Sequence, residues 1–86
     1  MRKVLIVGLL LVSLSLALEL IDVQIEVKGD IIMVNKKEYT ISKDVKIEGP
    51  SGQELTLESL PSAKTIRLEF DKRGKVIFIK VLEWWI

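Results

Sequence analysis

Cysteine and histidine are missing from this 86-residue chain, asparagine occurs once (Asn35), glutamine twice (Gln24, Gln53), and only five residues are aromatic. Without cysteine there is no disulfide to staple a small domain, no thiolate nucleophile and no soft metal ligand. Without histidine the side chain that titrates nearest neutrality is gone, and with it the commonest general base. What remains for catalysis is a carboxylate pair. The acids in question, Asp22, Glu26, Glu69 and Asp71, fall on polar strand faces or in a turn, where solvent and a neighbouring Lys or Arg account for them. Asp71-Lys72-Arg73-Gly74 sets one acid against two cations, the wrong balance for a calcium cage. The sequence therefore predicts no catalytic residue, no cofactor and no metal site. A charge excess of one sign is also lacking, with thirteen Lys and Arg against twelve Asp and Glu. A nucleic-acid partner is not expected, since it needs a strongly basic face. Lys36, Lys37, Lys43 and Lys46 read as a solvated edge. Few amides beside abundant Ile, Lys and Glu suit a heat-adapted source.

Long apolar runs are lacking except at the N-terminus. Met1-Arg2-Lys3 precedes an apolar run from Val4 to Ala17 that closes on Ser15-Leu16-Ala17, a small-x-small triplet of the kind a signal peptidase reads. Residues 1–17 are expected to form an apolar leader helix acting as a signal peptide, cut after Ala17, with one domain over residues 18–86. The alternative is an uncleaved leader that tethers the domain to a membrane, but Glu19 and Asp22 interrupt the run before the ~20 apolar residues of a span. There is no twin arginine and no cysteine to accept lipid. The expected location is the periplasm or an equivalent extracytoplasmic space. Loss of the leader removes Arg2 and Lys3, leaving eleven cations against twelve anions, and leaves 86 − 17 = 69 residues to build a core. At that size a single core supplies only ~3 to 5 kcal/mol unless dense packing, charge pairs or a partner helps.

What is present is alternation. Ile66, Leu68 and Phe70 alternate with Arg67 and Glu69, and the run Val76-Ile77-Phe78-Ile79-Lys80-Val81-Leu82 follows after Asp71-Lys72-Arg73-Gly74-Lys75, so residues 65–82 read as a β-hairpin with Gly74 in its turn. A four-residue loop over 71–74 places Leu68 opposite Ile77 and gives a core face of Ile66, Leu68, Phe70, Ile77, Ile79 and Val81. Val76, Phe78 and Leu82 then point outward. Upstream, Ile21, Val23, Ile25 and Val27 alternate with polar residues, and Lys28-Gly29-Asp30 turns the chain into a strand over 31–34. Asn35-Lys36-Lys37 turns it again into 38–41, with Ile32 and Val34 beside Tyr39 and Ile41, and Met33 outward. Ser42-Lys43-Asp44 reads as a turn before a short strand at 45–47 that Gly49-Pro50-Ser51-Gly52 ends. Thr56 is placed to cap one helical turn over 57–60 that stops at Pro61 and plugs one end of the fold. About six short strands and one helical turn describe an all-β domain. A small antiparallel barrel of the OB or SH3-like kind hides the strand edges best.

The apolar side chains outnumber the places for them in one small core. Met33, Val76, Phe78, Leu82, Trp84 and Trp85 form a candidate partner-binding patch. The competing reading folds the Trp84-Trp85 tail back over the sheet as a second small core, since one covered Trp is worth up to ~4 to 6 kcal/mol. The partner expected is another protein of the cell envelope or a second copy of the chain. A small ligand or glycan in the barrel mouth is the alternative.

The succession Ile21-Asp22, Ile31-Ile32-Met33-Val34-Asn35, Tyr39-Thr40-Ile41-Ser42-Lys43-Asp44-Val45-Lys46-Ile47, Gly52, Leu55-Thr56-Leu57-Glu58-Ser59-Leu60 and Gly74-Lys75-Val76-Ile77-Phe78-Ile79 resembles accessory proteins of type IV pilus (fimbrial) biogenesis, and more broadly small exported domains with an OB-like β-barrel. The likeness spans nearly all of residues 18–86. It implies an exported, non-enzymatic component of an envelope assembly, and it carries no catalytic residues over.

Overall fold

A computed structural model describes residues 16–86, and the expected leader helix over residues 1–17 lies almost wholly outside them. Six strands run in chain order: β1 (Leu16–Leu20), β2 (Ile25–Lys28), β3 (Ile31–Val34), β4 (Lys37–Glu48), β5 (Ala63–Phe70) and β6 (Val76–Trp84), with a 3-10 turn over Leu57–Ser62 between β4 and β5. The sheet order is β1-β5-β6-β4-β3-β2. All neighbours are antiparallel except β4 and β6, which run parallel.

This corrects the closed antiparallel barrel in two respects. The ladder leaves β1 and β2 as edges, so the barrel is open. The parallel pair arises because β4 and β6 are joined through the 3-10 turn and β5, a crossover long enough to bring the chain back in the same direction. The sheet nevertheless encloses a single core. Ile25 on β2, Ile32 and Val34 on β3, Ile41 and Ile47 on β4, Ile66 and Leu68 on β5, and Val76, Ile79 and Val81 on β6 belong to one buried cluster with Val23, Leu60 and Ala63. In a flat sheet β2 and β5 would stand ~19 Å apart, at ~4.8 Å per strand. A shared core therefore requires the sheet to roll. Ten of these thirteen residues are Val or Ile, the side chains that fill a pleated surface best.

The hairpins follow their turn chemistry. Lys28↔Ile31 closes a two-residue loop with Gly29 at φ +61°, and Val34↔Lys37 closes another with Asn35 at +52° and Lys36 at +72°. Positive φ at both loop residues is the signature of the type I′ turn, whose twist matches that of the strands. Ile32 stands opposite Tyr39 and Met33 opposite Glu38, as the even-to-odd pairing predicts. Three segments depart from expectation. β1, which the sequence reading did not identify as a strand, pairs with β5 from Leu16↔Phe70 to Leu20↔Ile66. Ile21 is not core but 68% exposed, because the chain turns at Asp22 (φ +55°) between β1 and β2, and Val23 is held separately by its N–H donating to the Lys64 carbonyl at 2.9 Å. Residues 38–41 and 45–47 are one bent strand. The ladder passes from Ile41↔Val76 to Lys46↔Phe78, so β4 advances five residues while β6 advances two, and the surplus bends β4 at Ser42-Lys43-Asp44.

The 3-10 turn runs through Pro61 to Ser62, past the expected stop, and buries Leu60 completely, while Leu55 and Leu57 pack against the same cluster. Thr56 precedes it, but its side chain makes no capping hydrogen bond. Its carbonyl instead accepts the Ser59 N–H at 3.1 Å.

Candidate functional site

The β5-β6 hairpin determines which apolar residues reach the surface. Residues 71–75 form its loop. The Asp71 carboxylate accepts the N–H groups of Arg73 (2.8 Å) and Lys75 (2.9 Å), while the Asp71 carbonyl accepts the Gly74 N–H at 3.0 Å. Gly74 takes φ +83°, which a side chain would strain. The strands then pair as Phe70↔Val76, Glu69↔Phe78 and Leu68↔Ile79. One residue of β6 is surplus, so Ile77 and Phe78 together face Glu69, a β-bulge. The bulge reverses the expected facing at its start. Val76, a candidate patch residue, is fully buried, and Ile77, assigned to the core, is 37% exposed. Beyond the bulge the expected alternation resumes, with Ile79 and Val81 buried and Phe78 half-buried.

On the outer face two rows cross the central strands. One runs Glu69, Phe78, Lys46, and the other Arg67, Lys80, Glu48, with Glu19 opposite Arg67 at the edge. Lys80 Nζ lies 3.6 Å from the Glu48 carboxylate. Phe78 and Ile77 are therefore an apolar island on the central strand, bordered by charges of both signs. Leu82 is half-buried further along β6, where the ladder skips from Ile66↔Val81 to Thr65↔Glu83. At that skip the buried Thr65 hydroxyl donates to the Glu83 carboxylate at 2.7 Å, which satisfies it.

The remaining patch candidates lie elsewhere. Trp84 stands opposite Ala63 and packs half-buried against the core. The Trp85 N–H donates to the Ser62 carbonyl at 2.8 Å, its indole Nε1–H donates to the Val23 carbonyl at 3.0 Å, and Lys64 Nζ lies 5.5 Å from its ring centre. The tail thus continues β6 and is fastened to the start of β5 and to the β1-β2 connection, with Trp84 on the main core rather than on a second one and Trp85 42% exposed. Met33, on β3, is two strands from β6. It lies in an open groove of about 530 Å³ whose described lining also includes Gln24, Ile25, Glu26, Asn35 and Lys36. Tyr39 and Phe70 face each other with ring centres 5.8 Å apart, and Lys37 Nζ lies 5.5 Å from the Tyr39 ring.

Asp22, Glu26, Glu69 and Asp71 do not converge. Among the described residues no group of three or more Asp, Glu, His or Cys is placed to hold a metal ion, and no helix is long and apolar enough to cross a membrane. The Asp71 carboxyl is held below the usual carboxylate range, first by the Lys75 N–H, against some desolvation, then by the Arg73 N–H and the charges of both residues. That shift belongs to a turn. Ile77 is the residue that sequence reasoning missed, and the only hint was that β6 is apolar on both faces. Comparison of the chain with family models, with curated proteins and with solved structures gives no match.

Proposed function

We propose that this chain is an exported, non-enzymatic protein-binding module of the cell envelope, and that the outer face around Ile77 and Phe78 receives its partner. The observation behind the reading is the apolar island on the central strand, with Lys46, Glu48, Arg67, Glu69 and Lys80 around it. Protein interfaces have this anatomy, an apolar centre within a polar rim that sets register and excludes wrong partners. A central strand gives the face a rigid base. The partner is another envelope protein of mixed surface charge, and the resemblance in residues 18–86 favours a component of type IV pilus assembly.

Capture from an envelope extract by the immobilised protein, compared with Phe78→Ser, tests the proposal. A protein retained by the wild type and lost from Phe78→Ser, with the melting temperature changed by no more than a few degrees, supports it. An unchanged set of captured proteins refutes it. Concentration-dependent dimerisation abolished by the same substitution would make a second copy the partner. The groove at Met33 favours a second reading, a small polar ligand or glycan held beside the Gln24 and Asn35 amides. Saturable glycan binding that Met33→Trp blocks in a normally folded protein would move the function there.

A further inference from the structure

We propose that the export leader is removed after Ser15, so that the mature chain begins at Leu16. The inference rests on the export reading above and goes beyond it by naming the scissile bond. A signal peptidase acts on an unfolded chain, and two triplets satisfy it equally. Ser13-Leu14-Ser15 has the same small-x-small form as Ser15-Leu16-Ala17, and ending the apolar segment at Val12 still leaves Val4 to Val12 within the usual ~7 to 15 residues. The two products differ in what they can fold into.

β1 is described from Leu16, and its five described residues pair with β5, from Leu16↔Phe70, where β5 ends, through Ala17↔Glu69 and Leu18↔Leu68 to Leu20↔Ile66. A cut after Ala17 deletes the first two pairs and reduces β1 to three residues. The edge of β5 at Glu69 and Phe70 is then uncovered, an unpaired row of the kind that invites aggregation. The same cut leaves the new terminal ammonium on Leu18, directly opposite Leu68, whose side chain is fully buried. That terminus lies within the span of the ladder rather than at its end. With the cut after Ser15 the ammonium falls on Leu16, opposite Phe70 at the end of the ladder. The edge strand stays whole and the charge lies at its tip.

The test is to express the full chain in a bacterium and determine the N-terminus of the exported product by intact mass and terminal sequencing. A product beginning at Leu16 supports the inference. A product beginning at Leu18 overturns it and leaves the export reading standing. An uncut chain overturns it wherever it is found, and recovery of that chain from the cytoplasm removes the export reading as well. Two variants probe the reason. Ala17 is exposed, so Ala17→Tyr is tolerated by the fold and is expected to be processed as the wild type is. Ser13→Tyr, which spoils only the Ser13-Leu14-Ser15 triplet, is expected to divert the cut to the bond after Ala17, and its shorter product to melt below the product beginning at Leu16. Equal melting of the two products would overturn the structural reason for the assignment.

Discussion

Lys36 has its backbone in the left-handed region at φ +72°, the second residue of a turn that favours Asn-Gly. Asn35 suits its own position, and its side-chain oxygen accepts the Gln24 N–H at 2.8 Å while its N–H donates to the Gln24 carbonyl at 2.9 Å. Lys36 has no such compensation and carries the Cβ penalty of ~1 to 2 kcal/mol, against the smaller entropic cost of glycine. Lys36→Gly is therefore expected to stabilise the protein by about 0.5 to 1 kcal/mol, seen as a rise of a few degrees in melting temperature; a fall would mean that the Lys36 side chain makes a contact worth more than the strain. Asp71 gives a pH signature. Its folded pKa is depressed, so the stabilisation is complete above the ordinary carboxylate value of 3.8 and is lost as pH falls through that value toward the folded one. Asp71→Asn is expected to melt lower than the wild type at pH 7, with the difference shrinking below pH ~4. A difference independent of pH would assign the effect to geometry alone. Residue identity made both turns legible, because Asn35 and Gly74 carry their backbone preferences openly. The bulge at Ile77 and Phe78 was not, since a slip of one residue in an all-apolar strand changes no local pattern.

Elements were readable where their polarity alternates and neighbouring strands connect through short turns. β2 and β5 alternate, whereas β3 (Ile31-Ile32-Met33-Val34) and the start of β6 are apolar throughout and were legible from the turns that bound them. β4 reads as two strands because Ser42-Lys43-Asp44 has turn composition, and the Ser42 hydroxyl does accept the Asp44 N–H at 3.2 Å. The local turn is real, but it bends one strand that passes from β3 to β6. β1 was hidden for a different reason. Leu16-Ala17-Leu18-Glu19-Leu20 alternates plainly, yet its first half merges into the apolar leader, and a run that ends there conceals a strand that begins there. The C-terminal tail was open between two roles, and its hydrogen bonds favour the structural one. Trp85→Ala removes the bond to the Val23 carbonyl and the Lys64 contact, and is expected to cost roughly 1 to 3 kcal/mol. Its melting temperature should fall well below that of Phe78→Ser. The opposite order would make the tail the interface and the β6 bulge part of the fold.

At the scale of the whole molecule, the parallel β4-β6 pair could not be read locally, because it joins residues some thirty positions apart through an intervening strand. It places β6 in the middle of the sheet, hydrogen-bonded to β5 on one side and β4 on the other. Without β6 the sheet divides into β1-β5 and the β4-β3-β2 meander, and the core loses Val76, Ile79 and Val81. A chain ending at Lys75 is expected to show no cooperative thermal transition by circular dichroism. A sharp transition would mean that the meander and the 3-10 turn fold on their own.

The strand at the centre of the sheet also follows the other five in the sequence. At ~5 to 20 residues per second, a ribosome spends seconds on this chain before Val76 to Trp84 emerge, and until then β5 cannot be joined to β4. The sheet of the nascent polypeptide therefore stays divided through most of its synthesis, the condition in which a translocation channel can thread the chain. If the chain is exported as proposed, folding on the far side would be a single concerted event, timed by the arrival of Val76 to Trp84.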